Sequence, residues 1–140
     1  MNIRKLLSSD KENLQRLYKK LYPDNPVYDL SNNVFQAKNL ILGIEEDDKL
    51  VGFLQGVFFH VSGRAECYIN DLIVDDDYRG RGFGKALIHS AEDEFRKMGG
   101  SYIFVFTDFE DQADNPVGFY EKCGYQIINS PVLVKKMTAK

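Results

Sequence analysis

A chain of 140 residues, 44% of them hydrophobic and 13% aromatic, has the apolar material for one core and too little for two. Its formal charge of −3 argues against a general nucleic-acid surface, which needs clustered Lys and Arg. No stretch approaches the roughly 18 uncharged apolar residues of a membrane-spanning helix, and no apolar run follows Arg4 and Lys5 as a secretory signal requires; a single domain over residues 1–140, cytoplasmic, is expected.

In chain order, Ile3 to Leu7 is expected as a short first strand. Ser9-Asp10-Lys11-Glu12 fits a capping box, with the Ser hydroxyl and the Glu carboxylate satisfying free N–H groups. Leu14, Leu17, Tyr18 and Leu21 follow at helical spacing, and Pro23 ends that helix. A second, weaker helix is expected around Leu30, Val34 and Phe35. Three strand-like runs come next: Leu40 to Glu45, Leu50 to His60 and Glu66 to Val74. Short turns between them predict an antiparallel meander.

The pattern then changes. Asp75-Asp76-Asp77-Tyr78 leads into a glycine-rich turn, and a helix begins near Gly82 with Leu87, Ile88, Ala91, Phe95 and Met98 on its apolar face. Gly99-Gly100 stop it. Ser101 to Thr107 is a continuous apolar run, expected as a strand covered on both faces and joined to its predecessor by a parallel crossover. Asn115-Pro116 reads as the cap and first position of a short helix closed by Cys123-Gly124, with two last strands at Tyr125–Ile128 and Val132–Met137.

Cys67 and Cys123 match no zinc or redox spacing and are expected to be buried, reduced thiols. His60 and His89 are too few for a typical histidine metal site, so no metal is expected.

The chemistry concentrates in Arg79-Gly80-Arg81-Gly82-Phe83-Gly84-Lys85, between a strand and a helix. Alternating glycines let the backbone turn tightly with its N–H groups outward. Those groups, at a helix start with the positive end of its dipole behind them, suit phosphate oxygens. A Walker A loop fails, because Arg79 and Ala86 stand where Gly and Ser or Thr are required. The dinucleotide fingerprint fails too, since Lys85 stands where it needs its third Gly.

This region resembles the cofactor signature of the GNAT superfamily of N-acetyltransferases. That signature is Arg or Gln, two residues, Gly, one residue, then Gly or Ala, after a strand ending in aliphatic-x-Val. Arg79, Gly82 and Gly84 fill it behind Leu72-Ile73-Val74. The family's C-terminal Tyr-Glu-Lys-x-Gly-aromatic segment is matched by Tyr120-Glu121-Lys122-Cys123-Gly124-Tyr125, and the element order agrees along nearly the whole chain. The resemblance implies an α/β (α+β) fold, a mixed and mostly antiparallel sheet of six to seven strands, splayed at its centre and flanked by about four helices.

It implies acetyl-CoA as co-substrate, with the amides of Gly80 to Lys85 (Gly80, Arg81, Gly82, Phe83, Gly84, Lys85) on the pyrophosphate and the edge of Leu72, Ile73 and Val74 pairing with the pantetheine arm. An N–H near Ile73 or Val74 would steady the oxyanion. Tyr120 stands at the family's general-acid position, with packing under the cofactor as its alternative role. Asp71 is the candidate for binding the amine or relaying its proton, or else for capping backbone amides; Asn70 stands where some polyamine enzymes carry a Glu. Glu66 and Asp108 are weaker candidates. Asn115, five residues before Tyr120 rather than seven, either touches the coenzyme arm or only caps its helix. The acidic run Asp108 to Asp114 is either a lure for a cationic acceptor or a solvated loop.

The function expected is transfer of an acetyl group to a primary amine of a small molecule, such as a polyamine or aminoglycoside. A protein N-terminus or lysine is the alternative acceptor, and a non-catalytic acyl-CoA-binding module is the competing reading. No nucleic-acid or membrane partner is expected. Homodimers are common in the family, so a homodimer is a possible state.

Overall fold

The computed structural model describes residues 1–21, 23–24, 39–61, 64–107, 116–129 and 133–137. They fall into two compact units, Met1–Phe106 and Thr107–Lys140.

The first unit is one five-stranded sheet. β1 (Asn2–Lys5), β2 (Asn39–Glu46), β3 (Lys49–Val61) and β4 (Arg64–Val74) lie in sequence order, each antiparallel to the next. The β2–β3 turn holds Asp47 and Asp48 at φ 54° and 57°. Two successive left-handed residues give the hairpin turn whose twist matches that of its strands. β5 (Tyr102–Val105) joins β4 in parallel. A parallel neighbour needs a crossover, and α2 (Phe83–Lys97) supplies it.

Among the described residues of this unit, each sheet face takes one helix. α1 (Lys11–Leu21) buries Leu14, Leu17 and Tyr18 in a cluster with Leu6, Ile41, Leu50, Phe53 and Ile73. α2 buries Phe83, Leu87, Ile88, Ala91 and Phe95. It lies against the opposite face: Phe53 of β3 meets α1, whereas a Cβ on Gly56 would stand 2.7 Å from the Phe95 ring. Side chains three positions apart on a strand point to opposite faces. Fully burying a Leu or Phe contributes roughly 1.5–3 kcal/mol, so these two layers are the main stabilisation of the unit.

Several expectations need correction. The cap of α1 is not the Ser9–Glu12 box. A short 3-10 turn, Ser8–Asp10, precedes the helix, and the Asp10 carboxylate accepts the Leu7 N–H at 2.8 Å. Arg4 grips the same carboxylate at 2.6 and 2.8 Å and holds its titration below the ordinary value, which makes Asp10 the better acceptor there. β5 is four residues long and stands last in the sheet among the described residues, with Tyr102 57% exposed rather than covered on both faces. Tyr125–Ile128 and Leu133–Met137 carry no strand among the described residues, so the sheet counts five strands there rather than six or seven. The helix expected around Leu30, Val34 and Phe35 lies outside the described residues.

In the second unit, α3 (Pro116–Lys122) starts at the proline, as a first helical position favours. Gly124 at φ 93° ends it, its N–H donating to the Glu121 carbonyl at 3.0 Å.

Candidate active site

The site begins with one extra residue in β4. Gly56 pairs with Ile69 and Gln55 with Asp71, so Asn70 has no partner of its own and forms a β-bulge. Before the bulge, Cys67 points toward the α2 side: a Cβ on Gly100, just past α2, would meet its Sγ at 2.8 Å. After it, Asp71, Ile73 and Asp75 all face α1, through Tyr18, the apolar cluster and Arg16 with Lys20 respectively.

β4 also outruns its parallel neighbour. The β4–β5 register ends at Ile69 opposite Val105, while β4 continues to Val74. The Asp75 N–H donates to the Val51 carbonyl at 2.7 Å. Antiparallel pairs alternate, so Ile73 and Asp71 also turn their backbone groups toward β3, and Leu72 and Val74 turn theirs away. Of the two amides named from sequence, Val74's faces the open side and Ile73's faces β3. The strand edge beyond the last β4–β5 pair is therefore Leu72 and Val74.

That edge runs into the glycine loop. Gly80 and Gly82 hold φ 75° and 82°, in the left-handed region where L side chains are strained. A Cβ at either would meet nothing within 4 Å, so backbone conformation rather than crowding calls for glycine. Gly82 caps α2 without a side-chain cap, no acid stands in the first turn, and the first helical bond runs from the Ala86 N–H to the Gly82 carbonyl at 3.0 Å. Because that first bond begins at Ala86, the amides of Gly82, Phe83, Gly84 and Lys85 precede any intrahelical acceptor, and those of Gly80 and Arg81 lie in the turn before them. They form a cradle of donors at the positive end of a 15-residue helix.

The basic chains of the loop fold back on it. Arg79 donates from Nε to the Val74 carbonyl at 3.1 Å and pairs with Asp76 at 3.2 Å. The Arg81 guanidinium lies 5.1 Å from the Tyr78 ring centre and donates to the Asp77 carbonyl at 3.3 Å. Tyr78 in turn stacks on Phe83. Lys85 is exposed.

Asp75, read from sequence only as part of an acidic run, anchors the root of this loop. It is 4% exposed and pairs with Lys20 at 2.6 Å, Arg16 at 3.1 Å and Lys49 at 3.6 Å. The Lys20 hydrogen bond leads in holding its carboxyl down at about 2, with Arg16 assisting against the effect of burial. Asp71 is 7% exposed, opposite Gln55, and Tyr18 reaches both. Glu66, also buried, stands opposite Tyr102.

Tyr120 belongs to the second unit. It is half-buried on α3, edge-on to Phe119 at 5.2 Å and to Tyr125 at 5.7 Å, and its carbonyl accepts the Tyr125 N–H at 3.0 Å. Asn115, Asp108 and the rest of the acidic run to Asp114 lie outside the described residues.

A mixed sheet with an α-helical crossover, its β4 edge running on into a glycine-turned helix start, defines the class as α/β. The model of the Acetyltransferase (GNAT) family matches residues 3–125, and the chain belongs to that family. It is 38% identical over 68 residues to the glucosamine 6-phosphate N-acetyltransferase of Trypanosoma brucei brucei, covering 49% of this chain and 43% of that protein. The chain spans less than half the length of several of the curated relatives it matches. Among solved structures, an aminoglycoside acetyltransferase from an uncultured soil metagenomic sample, in complex with trehalose, is similar with TM-score 0.82 and 23% identity, over 99% of this chain and 96% of that one. The ribosomal-protein-alanine N-acetyltransferase of Brucella melitensis biovar Abortus 2308 is similar with TM-score 0.81 and 20% identity, over 98% and 100%. At such identities these likenesses speak for the fold. No helix among the described residues is long and apolar enough to cross a membrane.

Proposed function

We propose that this chain, acting as one domain over residues 1–140, moves the acetyl group of acetyl-CoA to a primary amine of a small molecule such as a polyamine or aminoglycoside. The observation that carries the reading is the continuity of the Leu72–Val74 edge with the donor cradle from Gly80 to Lys85. A coenzyme with a diphosphate and an amide-bearing arm needs both features, and here they are adjacent in one segment.

Acetyl-CoA supplies the acetyl group and a thiol of Cys-like acidity, about 8.5. The chain supplies the rest. The cradle amides hold the diphosphate, Leu72 and Val74 pair with the arm as a further strand would, and Arg79 exchanges its hold on the Val74 carbonyl for that pairing. Asp71 receives the acceptor's ammonium group, whose ordinary pKa is about 10.4, and passes its proton toward solvent. As the C–S bond breaks and the C–N bond forms, the Tyr120 hydroxyl gives its proton to the departing sulfur.

The test is incubation with acetyl-CoA and a panel of polyamines, aminoglycosides and peptides, following free thiol, beside calorimetry with coenzyme A. Micromolar coenzyme binding with thiol released by small amines is expected. Release with peptides alone would move the acceptor to protein. Binding without release would favour a non-catalytic acyl-CoA module, and no binding would end the assignment.

A further inference from the structure

One buried polar cluster is left unexplained by the coenzyme cradle. Tyr18 of α1, Gln55 of β3 and Asp71 of β4 are 1%, 8% and 7% exposed. The Tyr18 hydroxyl meets the Gln55 Oε1 and lies 3.4 Å from the Asp71 Oδ2. These facing atoms are three oxygens, and an ionised carboxylate and an amide oxygen both only accept. One phenolic proton cannot serve both. With the Gln55 amide turned end over end, its Nε2 donates to the phenol oxygen and frees the O–H for Asp71.

We propose that Tyr18 and Gln55 are positioning residues that aim Asp71 at the acceptor amine, through a chain from the Gln55 N–H to the Tyr18 oxygen and from the Tyr18 O–H to the Asp71 Oδ2. This rests on the acetyl-transfer reading above. Three observations support it. The Tyr18 ring packs against Phe53, 4.7 Å between centres, which holds its hydroxyl oxygen beside both Gln55 and Asp71. Asp71 directly follows the Asn70 bulge and opens the stretch that ends in the coenzyme edge, so its aim sets where an amine stands relative to that edge. The helix that carries Tyr18 also carries Arg16 and Lys20, which hold Asp75. One helix therefore fixes both ends of the segment 71–75.

A role exercised through Asp71 predicts a specific non-additivity. The rate of thiol release is measured with an amine the native chain accepts, for Tyr18→Phe, Asp71→Asn and the double variant. Tyr18→Phe keeps the ring packed and should lower kcat/KM for the amine by roughly 3- to 100-fold, the range of couplings between contacting residues. In the Asp71→Asn background the same change should cost less than about twofold, and coenzyme affinity by calorimetry should hold throughout. Gln55→Met, which keeps the length and removes the amide, runs the same cycle through the other partner and covers poor folding of Tyr18→Phe. An equal Tyr18→Phe loss with and without Asp71, or no loss at all, overturns the inference while leaving acetyl transfer intact. A native chain that binds coenzyme but acetylates no amine fails the parent reading instead, and this inference falls with it.

Discussion

Replacing Asp75 by Asn tests whether the loop root is held electrostatically. The carboxyl sits beside Lys20, Arg16 and Lys49, and its titration falls from 3.8 to about 2. At about 1.4 kcal/mol per unit, that depression is worth about 2 kcal/mol of folding stability. A carboxyl depressed on folding contributes in full above its unfolded value near 3.8 and loses the contribution as pH falls through about 2. Asn keeps the shape but leaves three cations around a neutral amide. Orphaning a buried charge costs about 3–5 kcal/mol, but these cations are 36%, 40% and 49% exposed and can turn to water. The expected loss at neutral pH is therefore about 2–3 kcal/mol, or a Tm drop of roughly 6–10 °C for a chain of this size. Urea and thermal melts of both proteins, from neutral pH down to about 2.5, should show the gap shrinking below about pH 4. A gap under about 0.5 kcal/mol at neutral pH, within the range of an ordinary surface change, would refute the reasoning. So would a gap that stays constant to the lowest pH.

Further outcomes follow from the same geometry. Gly82→Val puts a β-branched residue at φ 82° and should cost roughly 1–3 kcal/mol in stability, while weakening coenzyme binding at least tenfold by calorimetry. Tyr120→Phe should lower kcat by about 10²–10⁴-fold, the usual worth of a positioned proton donor, with coenzyme affinity unchanged; undiminished turnover removes Tyr120 as the acid. Burial pushes the Cys67 thiol up to about 11, so at pH 8 a thiol reagent should modify Cys123 promptly and Cys67 only after denaturant is added. Prompt reaction of both would contradict the packing of β4 against the α2 side.

Much of the fold was open to reading because its signals are local. The apolar rows Leu14-Leu17-Tyr18 and Leu87-Ile88-Ala91-Phe95 report helix faces directly, and short turns between alternating runs leave a meander as the simplest pairing. Burial is a different matter. Ser101–Thr107 reads as a strand covered on both sides because it is uniformly apolar, yet Tyr102 and Phe106 are 57% and 59% exposed. Aromatic residues on an edge strand satisfy the same pattern as aliphatic residues in a centre. Likewise Ser9 and Asp10 are both good caps by type. Arg4, six residues before Asp10 and set alongside it at β1, decides between them.

The site was legible where chemistry follows chain order and hidden where it follows parity. Arg79-Gly80-Arg81-Gly82 announces left-handed turns and a helix start from residue types alone, and both glycines adopt positive φ. Asp75 gave no such signal, since its partners Arg16, Lys20 and Lys49 come from other elements. The deeper obstacle is Asn70. Strict alternation from Cys67, which faces the α2 side, sends Asp71, Ile73 and Asp75 to that side as well. One bulged residue turns all three over to α1. Without that inversion Asp71 could not meet Tyr18, Asp75 could not meet Lys20, and two carboxylates would enter the apolar layer beneath Phe95 and Leu87. The bulge therefore moves the only two carboxylates of segment 71–75 from a face that cannot solvate them to one that supplies a phenol, an amide and three cations.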